Sequence, residues 1–476
     1  MGLAIYETTQ PEGRRADTLT MRIFFLVGVL AAVGCTKINP NACCTDVADC
    51  NSSGLPAGTS CSDGLVCRGG QCIAESCSTS ADCESMAPYC VDSGVCQSTC
   101  TMDTQCPGAA QNATDVWCDA GACVECRDAN DCTAATPVCD ASACRACIAN
   151  SECATGVCGS DGACALASEV GYVTPNGATT GSCPQSTPCN LAHGTSTGLK
   201  YLLLASGTYS SSTLLNITGT QWLIGAGTKP VITRSTTGPI IEIDAPADIH
   251  FENVQISGAT GTDGDGIVCP ATTGARSLTL RAVTVTQNQG NGIYSYTCMI
   301  DASTSQFTNN GAIGLGIQDN SMTVDRCIFS GDQYGMTFDG GTLKATNSFF
   351  VRNTKDGVDI SSQLNTIDFE FNTIVDNGQY GVVANSFDSL PNNIVARSGS
   401  LETNCNGCQL PGSIVMHGAD ISTLHFLSPD AQPYDYHLGA GSIAIDAAVA
   451  ATLDHDYDGD ARPKGAGRDL GADEAH

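Results

Sequence analysis

A repeat of 21 to 24 residues in the second half of the chain most constrains the fold. It is marked by glycines at equivalent positions: Gly292, Gly314, Gly335, Gly357 and Gly381. Four residues before each glycine lies an asparagine or another glycine, at Asn288, Asn310, Gly331, Asn353 and Asn377. Because asparagine and glycine both tolerate a positive φ, their interchange predicts a left-handed turn at this position of every repeat.

Apolar side chains recur at two further positions of the repeat. One set follows the marker glycines, at Ile293, Leu315, Met336, Val358 and Val382. The other precedes the predicted turns by three residues, at Val285, Phe307, Ile328, Phe350 and Ile374. Short strands at such a period, without helical periodicity, are typical of a solenoid whose equivalent residues stack into ladders. The sequence therefore predicts an all-β fold, a parallel β-helix of about ten coils over residues 191–427.

Several segments resemble the right-handed parallel β-helix superfamily, the pectin-lyase-like fold. GYVTPNG, CPQSTPCNLAHG, LASGTY and WLIGAGTKPVI are similar to its opening coils in exported bacterial proteins. DYHLGAGSIAIDAA and HDYDGDARPKGAGRDLGADE resemble the closing module of bacterial surface β-helix proteins. The matching residues there are Asp458, Gly459, Arg462, Pro463, Asp469, Gly471 and Ala472. The resemblance implies a single-stranded right-handed solenoid, with an opening segment at 165–190 and a capping module at 428–476.

The N-terminal third is dense in cysteine, with 22 of the 30 cysteines between Cys43 and Cys164. Residues 44–164 divide into five units of four cysteines, preceded by a linker at 36–43. The units are Cys44, Cys50, Cys67 and Cys72; Cys77, Cys83, Cys90 and Cys96; Cys100, Cys106, Cys118 and Cys123; Cys126, Cys132, Cys139 and Cys144; and Cys147, Cys153, Cys158 and Cys164. Cys43 and Cys61 remain as a further pair, which completes the even number that a closed framework requires.

The stretch CVECRDANDCTAATPVCDASACRAC contains two CxxC pairs separated by 17 residues, a spacing found in zinc sites. In the five-unit register, however, each CxxC spans a boundary: Cys123 ends one unit and Cys126 begins the next. We therefore predict disulfides rather than a zinc site or catalytic thiols, with the connectivity left open. The unit resembles small cysteine-rich repeats of secreted myxobacterial-type proteins and, loosely, modules of extracellular eukaryotic ligands.

The residues before this region predict export. Residues 1–20 read as an upstream extension, and MRIFFLVGVLAAVGC at 21–35 has the charge and apolar core of a signal peptide. Its end resembles the bacterial lipoprotein signal, which implies lipidation of Cys35 and attachment to a lipid bilayer; plain secretion is the alternative. We expect an outer-membrane lipoprotein that faces the exterior, or a secreted protein. The formal charge of -29 excludes nucleic acid as a partner.

Cysteines outside the repeats predict further bridges. Plausible pairs are Cys183 with Cys189, Cys269 with Cys298, and Cys405 with Cys408. Cys327 occupies the register position of Ser305 and Ser348, and we expect it to be a buried free thiol.

Candidate catalytic residues are sparse. The NTD, DD, GHG and RIK motifs of polygalacturonase-type hydrolases are absent. Asp356 and Asp359 share one predicted coil, with Asp332 and Asp376 on its neighbours, but the position of Asp356 directly before a glycine is explained by an Asx turn. Lyases of this fold use Lys or Arg as a base, and the basic group suited to that role is Lys344, Arg352 and Lys355.

A possible calcium site lies near the C-terminus. Asp454, Asp456, Asp458 and Asp460 alternate, with Gly459 at the sixth position, as in a calcium loop. The twelfth position is Gly465, where an EF-hand has glutamate, so a solvated capping turn is the alternative.

These patterns favour a non-catalytic protein of the cell surface. A disulfide-rich stalk would display a β-helix for adhesion, with a polysaccharide or another surface component as partner, because long solenoid flanks suit polymers. The alternative is a polysaccharide lyase or hydrolase that acts on uronate-containing polymers. One fold hosts many functions, so the site must decide.

Overall fold

The computed structural model describes residues 65–68, 71–74, 89–91, 95–97, 99–106, 117–360, 366–384, 389–405 and 408–475. The predictions for the signal peptide, Cys35, Cys43, Cys44, Cys50, Cys61, Cys77 and Cys83 lie outside these residues. The chain divides into two compact units, Met1–Val124 and Glu125–His476. None of the helices among the described residues has the length and hydrophobicity of a membrane-spanning segment.

The described residues of the first unit include short antiparallel hairpins. They are formed by β1 (Leu65–Arg68) with β2 (Gln71–Ala74), β3 (Tyr89–Val91) with β4 (Val95–Gln97), and β5 (Trp117–Asp119) with β6 (Ala122–Val124). A 3-10 helix spans Asp103–Gln105. Disulfides join Cys100 to Cys118 and Cys106 to Cys123. In this cysteine unit the first cysteine is thus bonded to the third, and the second to the fourth.

The second unit begins with two more cysteine repeats of the same linkage. Their bonds are Cys126–Cys139, Cys132–Cys144, Cys147–Cys158 and Cys153–Cys164. The regular elements are 3-10 helices at Ala129–Asp131 and Asn150–Glu152 and the hairpin of β7 (Val138–Asp140) and β8 (Ala143–Arg145). The prediction that the CxxC pairs belong to disulfides is confirmed, since Cys123 and Cys126 are each bonded within their own repeat.

A right-handed parallel β-solenoid of about nine turns follows, which confirms the predicted fold. Each full coil passes through three faces, A, B and C, in that order. Face A contains β9 (Val170–Ala178), β10 (Tyr201–Leu204), β12 (Leu215–Gly225), β14 (Ile241–Glu252), β17 (Arg276–Arg281), β20 (Met299–Ser303), β23 (Met322–Asp325), β26 (Thr342–Thr346) and β29 (Thr366–Glu370). The strand β9 lies in the predicted opening segment and already pairs in parallel with β10. A short helix, α1 (Leu191–Ser196), connects these two strands.

Face B has ten strands, and face C has seven of its own. Face B contains β11 (Thr208–Ser211), β13 (Val231–Arg234), β15 (Gln255–Ser257), β18 (Thr284–Thr286), β21 (Gln306–Thr308), β24 (Ile328–Ser330), β27 (Phe349–Val351), β30 (Thr373–Val375), β32 (Ile394–Ala396) and β34 (Ile414–Met416). Face C contains β16 (Ile267–Cys269), β19 (Ile293–Ser295), β22 (Ile313–Gln318), β25 (Tyr334–Asp339), β28 (Val358–Ile360), β31 (Tyr380–Ala384) and β33 (Leu401–Asn404). The first parts of β12 and β14 also belong to face C, so these two strands bend around one edge.

Apolar ladders fill the solenoid. Phe307, Phe329 and Phe350 occupy equivalent positions on face B and stack with ring centroids 4.9 and 4.6 Å apart. These distances match the spacing of paired strands, so each ring covers the next without a gap. Cys269–Cys298 bridges two coils, and Cys183–Cys189 and Cys405–Cys408 close short loops, as predicted. Cys327 is buried and bonded to no other described cysteine, which confirms the expected free thiol.

The predicted left-handed turn is confirmed at Gly331 but is wrong by one residue at the four asparagines. There the positive φ occurs one position earlier, at Gln287, Asn309, Arg352 and Asp376. The asparagines are instead buried, and their amides hydrogen-bond from coil to coil: Asn288 Nδ2 donates to Asn310 Oδ1, and Asn353 Nδ2 to Asn377 Oδ1, each at 3.0 Å. An amide suits this place because it satisfies backbone groups that the bend leaves buried and unpaired.

The coil that contains Gly331 departs from this pattern because it is one residue shorter. Only 21 residues separate Gly314 from Gly335, so counting back four residues reaches Gly331, the left-handed position, rather than the ladder position. The residue that continues the ladder is Asp332, and the core residue of that coil is Phe329 rather than Ile328.

The C-terminal module lies against the outer side of face B. It contains a 3-10 helix at Ser422–Leu424, the hairpin of β35 (Phe426–Ser428) and β36 (Asp435–Leu438), and an irregular segment to residue 475. Phe426, Tyr436, Leu438 and Leu470 pack there in one cluster with Phe349 and Val351 and with residues of β30 and β32. The segment predicted as a capping module therefore covers a flank of the coils.

Candidate functional site

A groove on the outer side of face A is the most promising binding site among the described residues. It begins with an aromatic ladder, because outward positions of β10, β12 and β14 in the same register hold Tyr201, Trp222 and His250. The Trp222 ring lies 4.0 Å from the His250 ring at an interplanar angle of 12°, and 5.9 Å from Tyr201. Thr279 follows in the register, so a small side chain ends the aromatic ladder beside His250.

The groove has a volume of about 560 Å³. Its lining residues are Ser160, Lys200, Thr220, Trp222, Asp248, His250, Phe251, Glu252, Thr279, Arg281 and Asp301. A smaller cavity of about 240 Å³ near Asn190 is lined by apolar and neutral polar residues only, as far as the described chain goes. The groove on face A is therefore the better place for a ligand that needs charged partners.

Charged side chains on consecutive coils frame the aromatic ladder. Arg281 holds Asp301 with two hydrogen bonds, Nη1 to Oδ1 at 3.1 Å and Nη2 to Oδ2 at 2.6 Å. Asp248 lies 3.2 Å from Nε2 of His250. The ammonium of Lys200 lies 4.8 Å from the centroid of the Tyr201 ring. These groups place positive and negative charges, and both donors and acceptors of hydrogen bonds, along one surface.

Burial shifts the pKa values of two side chains in the groove. It lowers the pKa of His250, although the neighbouring Asp248 acts in the opposite direction. Burial also raises the pKa of Glu252, whose carboxylate accepts a hydrogen bond of 2.7 Å from the side chain of Asn150. His250 is therefore mainly a neutral imidazole near pH 7, able to accept a proton or share a hydrogen bond.

The last cysteine repeat forms one end of the groove. Asn150 of this repeat reaches Glu252 on β14, and Tyr172 donates to the carbonyl of Thr155 at 3.4 Å. Val157 and Ala165 pack with Tyr201 in a small apolar cluster. A second cavity of about 460 Å³ continues along the repeat and shares Trp222 and Glu252 with the groove. The disulfide repeat thus takes part in shaping the site.

The three basic residues predicted for a lyase have separate surroundings. Lys344 is exposed on face A, 3.8 Å from Asp368 on the next strand. Arg352 follows β27, stacks over the Tyr434 ring at 3.7 Å and lies 3.6 Å from Asp376. Lys355 comes later in the same coil and contacts the hydroxyl of Tyr334 at 3.3 Å. The structure therefore distributes them around the coil and gives them no shared partner among these contacts.

The predicted acidic candidates have structural partners. Asp376 accepts hydrogen bonds from Arg397 and from the Tyr436 hydroxyl, which fixes the C-terminal module to face B. Asp332 belongs to the asparagine ladder. Asp356 Oδ1 accepts from the backbone N of Tyr380 on the next coil at 3.0 Å, so a bond between coils, rather than an Asx turn, explains this aspartate. Asp359 lies half-buried at an outward position of face C.

The four aspartates of the predicted calcium loop contact different partners. Asp454 lies 2.9 Å from His455, and Asp460 lies 2.8 Å from Lys464. The fully buried Asp456 accepts backbone hydrogen bonds from Asp460 and Glu474. Asp458 faces His437 at 3.3 Å. One of the four, Asp458, belongs to a group of potential ligand atoms in the described structure, together with His437 and Asp473.

Sequence reasoning missed the residues of the groove on face A. Trp222 and His250 are 28 residues apart, whereas the repeat marked by the glycines has 21 to 24 residues. The available signal was the alternation in QWLIG, DIHFE and LTLR, whose outward residues fall into one register once the strands are paired.

Comparisons with known proteins find one family model and several distant solved structures. The family described as "Right handed beta helix region" matches residues 265–413. Among solved structures, pectate lyase Pel9A has a TM-score of 0.42 at 15% identity, over 64% of this chain and 96% of its own. The A-module of mannuronan C-5 epimerase AlgE4 from Azotobacter vinelandii has a TM-score of 0.38 at 17% identity, over 45% and 68%. An alginate lyase from Paenibacillus sp. has a TM-score of 0.34 at 14% identity, over 52% and 98%.

No curated protein matches the chain in sequence. The strand topology and the matching family model define the fold class, a right-handed parallel β-helix. The many disulfides in the described residues are typical of an extracellular or secreted protein.

Proposed function

We propose that the protein is a non-catalytic, glycan-binding protein of the cell surface and that the groove on face A binds the glycan. The observation that carries the proposal is the half-buried Trp222 between Tyr201 and His250, surrounded by charged side chains. Apolar C–H patches of a sugar can pack on the accessible part of the aromatic ladder. The hydroxyl groups of the sugar can form hydrogen bonds with Lys200, Asp248 or the Arg281–Asp301 pair. These bonds together fix the orientation of the sugar.

A long polymer suits this surface better than a small molecule. The register continues from His250 through Thr279, Asp301, Thr323 and Lys344 to Asp368, so polar side chains extend the face beyond the groove. Successive coils repeat these positions at about 4.8 Å, and neighbouring sugars can use neighbouring coils.

The lipid anchor remains part of the same proposal. Lipidation of Cys35 would hold the disulfide repeats and the β-helix at the outer membrane. A Cys35→Ser variant should then move from the membrane fraction to the soluble fraction of cells that express the full chain. A variant that stays in the membrane fraction would contradict the anchor, while glycan binding by purified protein would be unaffected.

A polysaccharide lyase is the second candidate, and one observation favours it. His250 has a lowered pKa and lies in the groove that Arg281 lines, so a neutral base and a guanidinium share one surface. A base that abstracts the proton beside a uronate carboxylate needs such a cation to stabilise the developing charge.

The deciding experiment measures binding and turnover on the same samples. The purified chain is incubated with neutral and uronate-containing polysaccharides, with and without calcium, and titrated by calorimetry. Absorbance of the unsaturated product and reducing ends report turnover. Binding without turnover, weakened at least tenfold by Trp222→Ala, is the expected result.

Tyr296→Ala is the matched control, because this exposed aromatic residue follows β19 of face C and does not line the groove. Binding that Trp222→Ala leaves unchanged would overturn the proposed site. Turnover abolished by His250→Ala would establish the lyase instead. Turnover abolished by Lys344→Ala or Arg352→Ala would locate the chemistry at the predicted basic group. Circular dichroism of each variant verifies that the coil remains folded.

A further inference from the structure

The C-terminal module brings one histidine and two carboxylates together from three separate segments. His437 lies on β36, Asp458 on the loop that follows, and Asp473 near the end of the chain. The Nε2 atom of His437 is 3.3 Å from Oδ2 of Asp458. The potential ligand atoms of all three residues lie within 4.8 Å of one another. This separation is compatible with a common ion at about 2.0 to 2.2 Å from each ligand atom.

The tautomer of His437 is fixed by a fourth residue. Asp435 Oδ1 lies 2.5 Å from Nδ1 of the same imidazole, so that nitrogen carries the donated proton. In the neutral imidazole, Nε2 then presents a lone pair toward Asp458 and Asp473. It is buried and makes no hydrogen bond to any described residue. Histidines that bind metals characteristically donate their other ring N–H to a carboxylate, as this one does to Asp435.

Two aromatic rings pack against the imidazole, whose side chain is about one-third exposed. Phe349 and Tyr457 pack on it with ring centroids 5.3 and 5.7 Å away. Asp473 is 3% exposed, and its Oδ2 accepts a hydrogen bond of 2.6 Å from the backbone N of Leu438. This bond orients the carboxylate while leaving it further acceptor capacity. A buried histidine lone pair next to two carboxylates is the electrostatic complement of a dication.

We propose that His437 Nε2, Asp458 and Asp473 bind a single divalent transition-metal ion that links three segments of the C-terminal module. One imidazole and two carboxylates suit Zn²⁺, Mn²⁺ or Co²⁺, whereas Ca²⁺ takes six to eight oxygen ligands. The site differs from the calcium loop predicted from the sequence, because only Asp458 is common to both.

The proposed site adjoins an open cleft, because His437 belongs to both. His437 and Asp435 also line a cleft of about 420 Å³, together with Arg352, Tyr434, Tyr436 and Tyr457. Water or an oxygen atom of a ligand completes the coordination shell. The metal-binding step itself does not depend on the glycan site on face A, which lies on another face of the coil.

The test is metal titration of the full chain after dialysis against EDTA. Mn²⁺ and Zn²⁺ are titrated separately by calorimetry, and bound Co²⁺ is followed by its visible absorption, which reports coordination. We expect one equivalent to bind and the thermal midpoint of unfolding to rise. His437→Gln and Asp458→Asn should each weaken binding at least tenfold, with the secondary structure retained.

His455→Gln is the matched control, because this histidine also lies between two carboxylates, Asp454 and Asp325, but outside the proposed site. The affinity of the His455→Gln variant for the ion should equal that of the unaltered chain. The proposal is overturned if none of the three ions binds, or if binding is the same in His437→Gln. Calcium binding that survives His437→Gln and is lost in Asp456→Asn would also overturn it, in favour of the calcium loop.

Discussion

Asp332 takes the place of an asparagine in the buried ladder and accepts two hydrogen bonds from Asn310. Its Oδ1 receives the backbone N at 2.6 Å and the side-chain Nδ2 at 3.0 Å. Its Oδ2 is buried and bonds to no described residue. In the same ladder Asn310 and Asn353 each donate Nδ2 to a backbone carbonyl, those of Val285 and Phe329.

The equivalent carbonyl for Asp332 belongs to Phe307, since Val285, Phe307 and Phe329 share one register. A carboxylate cannot donate to that carbonyl, but a protonated carboxyl group can. Burial raises the pKa of Asp332 to about 8, against the opposing effect of the bonds from Asn310. The folded chain therefore keeps this carboxyl group protonated at neutral pH.

The first prediction concerns Asp332→Asn. Between the pKa near 3.8 of the unfolded chain and about 8 in the folded chain, the folded state binds the additional proton. The contribution of Asp332 to stability is complete below pH 3.8 and decreases by about 1.4 kcal/mol per pH unit up to pH 8. The asparagine variant should match the unaltered chain near pH 4 and exceed it in stability near pH 8, measured by urea denaturation at both values.

Asp359→Asn provides the matched control, because it removes a carboxylate from an outward position of a nearby coil. Its stability should follow the pH dependence of the unaltered chain. An Asp332→Asn variant with the same pH dependence as this control would mean that Asp332 is ionised in the folded state.

The second prediction concerns Arg462, which holds the irregular C-terminal segment together. Its guanidinium group is fully buried, lies 2.9 Å from Glu474, and donates to the carbonyls of Asp469 and Gly471. Arg462→Ala leaves Glu474 buried without its cation, and we expect a loss of about 3 to 5 kcal/mol in the free energy of unfolding. Chemical denaturation followed by tyrosine fluorescence measures the change.

Lys464→Ala is the comparison for Arg462→Ala. Lys464 pairs with Asp460 at a similar distance, 2.8 Å, but both side chains are about one-third exposed. Its removal should cost less than about 1 kcal/mol because water screens the pair. Equal losses in the two variants would contradict the central role of Arg462.

The sequence was sufficient for the solenoid but not for its hydrogen-bond ladders. Marker glycines and apolar positions repeat because every coil must place small residues and core residues at the same points. The period cannot distinguish an asparagine that adopts a positive φ from one that pairs its amide, and the two positions are adjacent: Asn309 has the positive φ and Asn310 the ladder bond. In the coil that is one residue shorter, the sequence repeat indicated Gly331, whereas the residue at the ladder position is Asp332.

The repeat pattern could not predict sites formed by residues that are far apart in the sequence. Trp222 and His250 meet through strand pairing in coils longer than the repeat, and Asn150 reaches Glu252 across 102 residues. The Asp-Gly, Arg-Pro and Asp-x-Gly-Ala residues near the C-terminus were visible as a motif. The reason these residues occur together is the buried Arg462. Its role could be recognised only from the positions of the carbonyls around it in the structure.

The third prediction concerns the thiol of Cys327. Burial raises its pKa to about 12, and its backbone N donates to Ser348 Oγ in the register that Ser305 also occupies. The folded chain should resist alkylation at this cysteine at pH 8, because neither thiolate nor access is available. Mass spectrometry of the Cys327 peptide, with and without denaturant, measures the protection. Modification of the folded chain at the rate of the unfolded chain would contradict burial.

A substitution tests the same position independently. In Cys327→Ser the hydroxyl group can donate to a backbone carbonyl as Ser305 and Ser348 do. We expect the thermal midpoint to change little, since the neighbouring coils already accommodate serine. Cys327→Phe, in contrast, should be strongly destabilising because the site has no room for a ring.

The fourth prediction concerns the cysteine pairing around the two CxxC sequences. The structure bonds Cys106 to Cys123 and Cys126 to Cys139, so the two cysteines of one CxxC belong to different bridges. Each bridge closes a short loop, 17 and 13 residues in sequence, and should contribute about 3 kcal/mol through the unfolded chain. Proteolysis without reduction should release these linked peptides, whereas a Cys123–Cys126 bond or free thiols at both residues would contradict the pairing. The paired substitution Cys126→Ser with Cys139→Ser should destabilise this repeat less than Cys126→Ser alone, because the single change leaves a reactive thiol that can form wrong bridges.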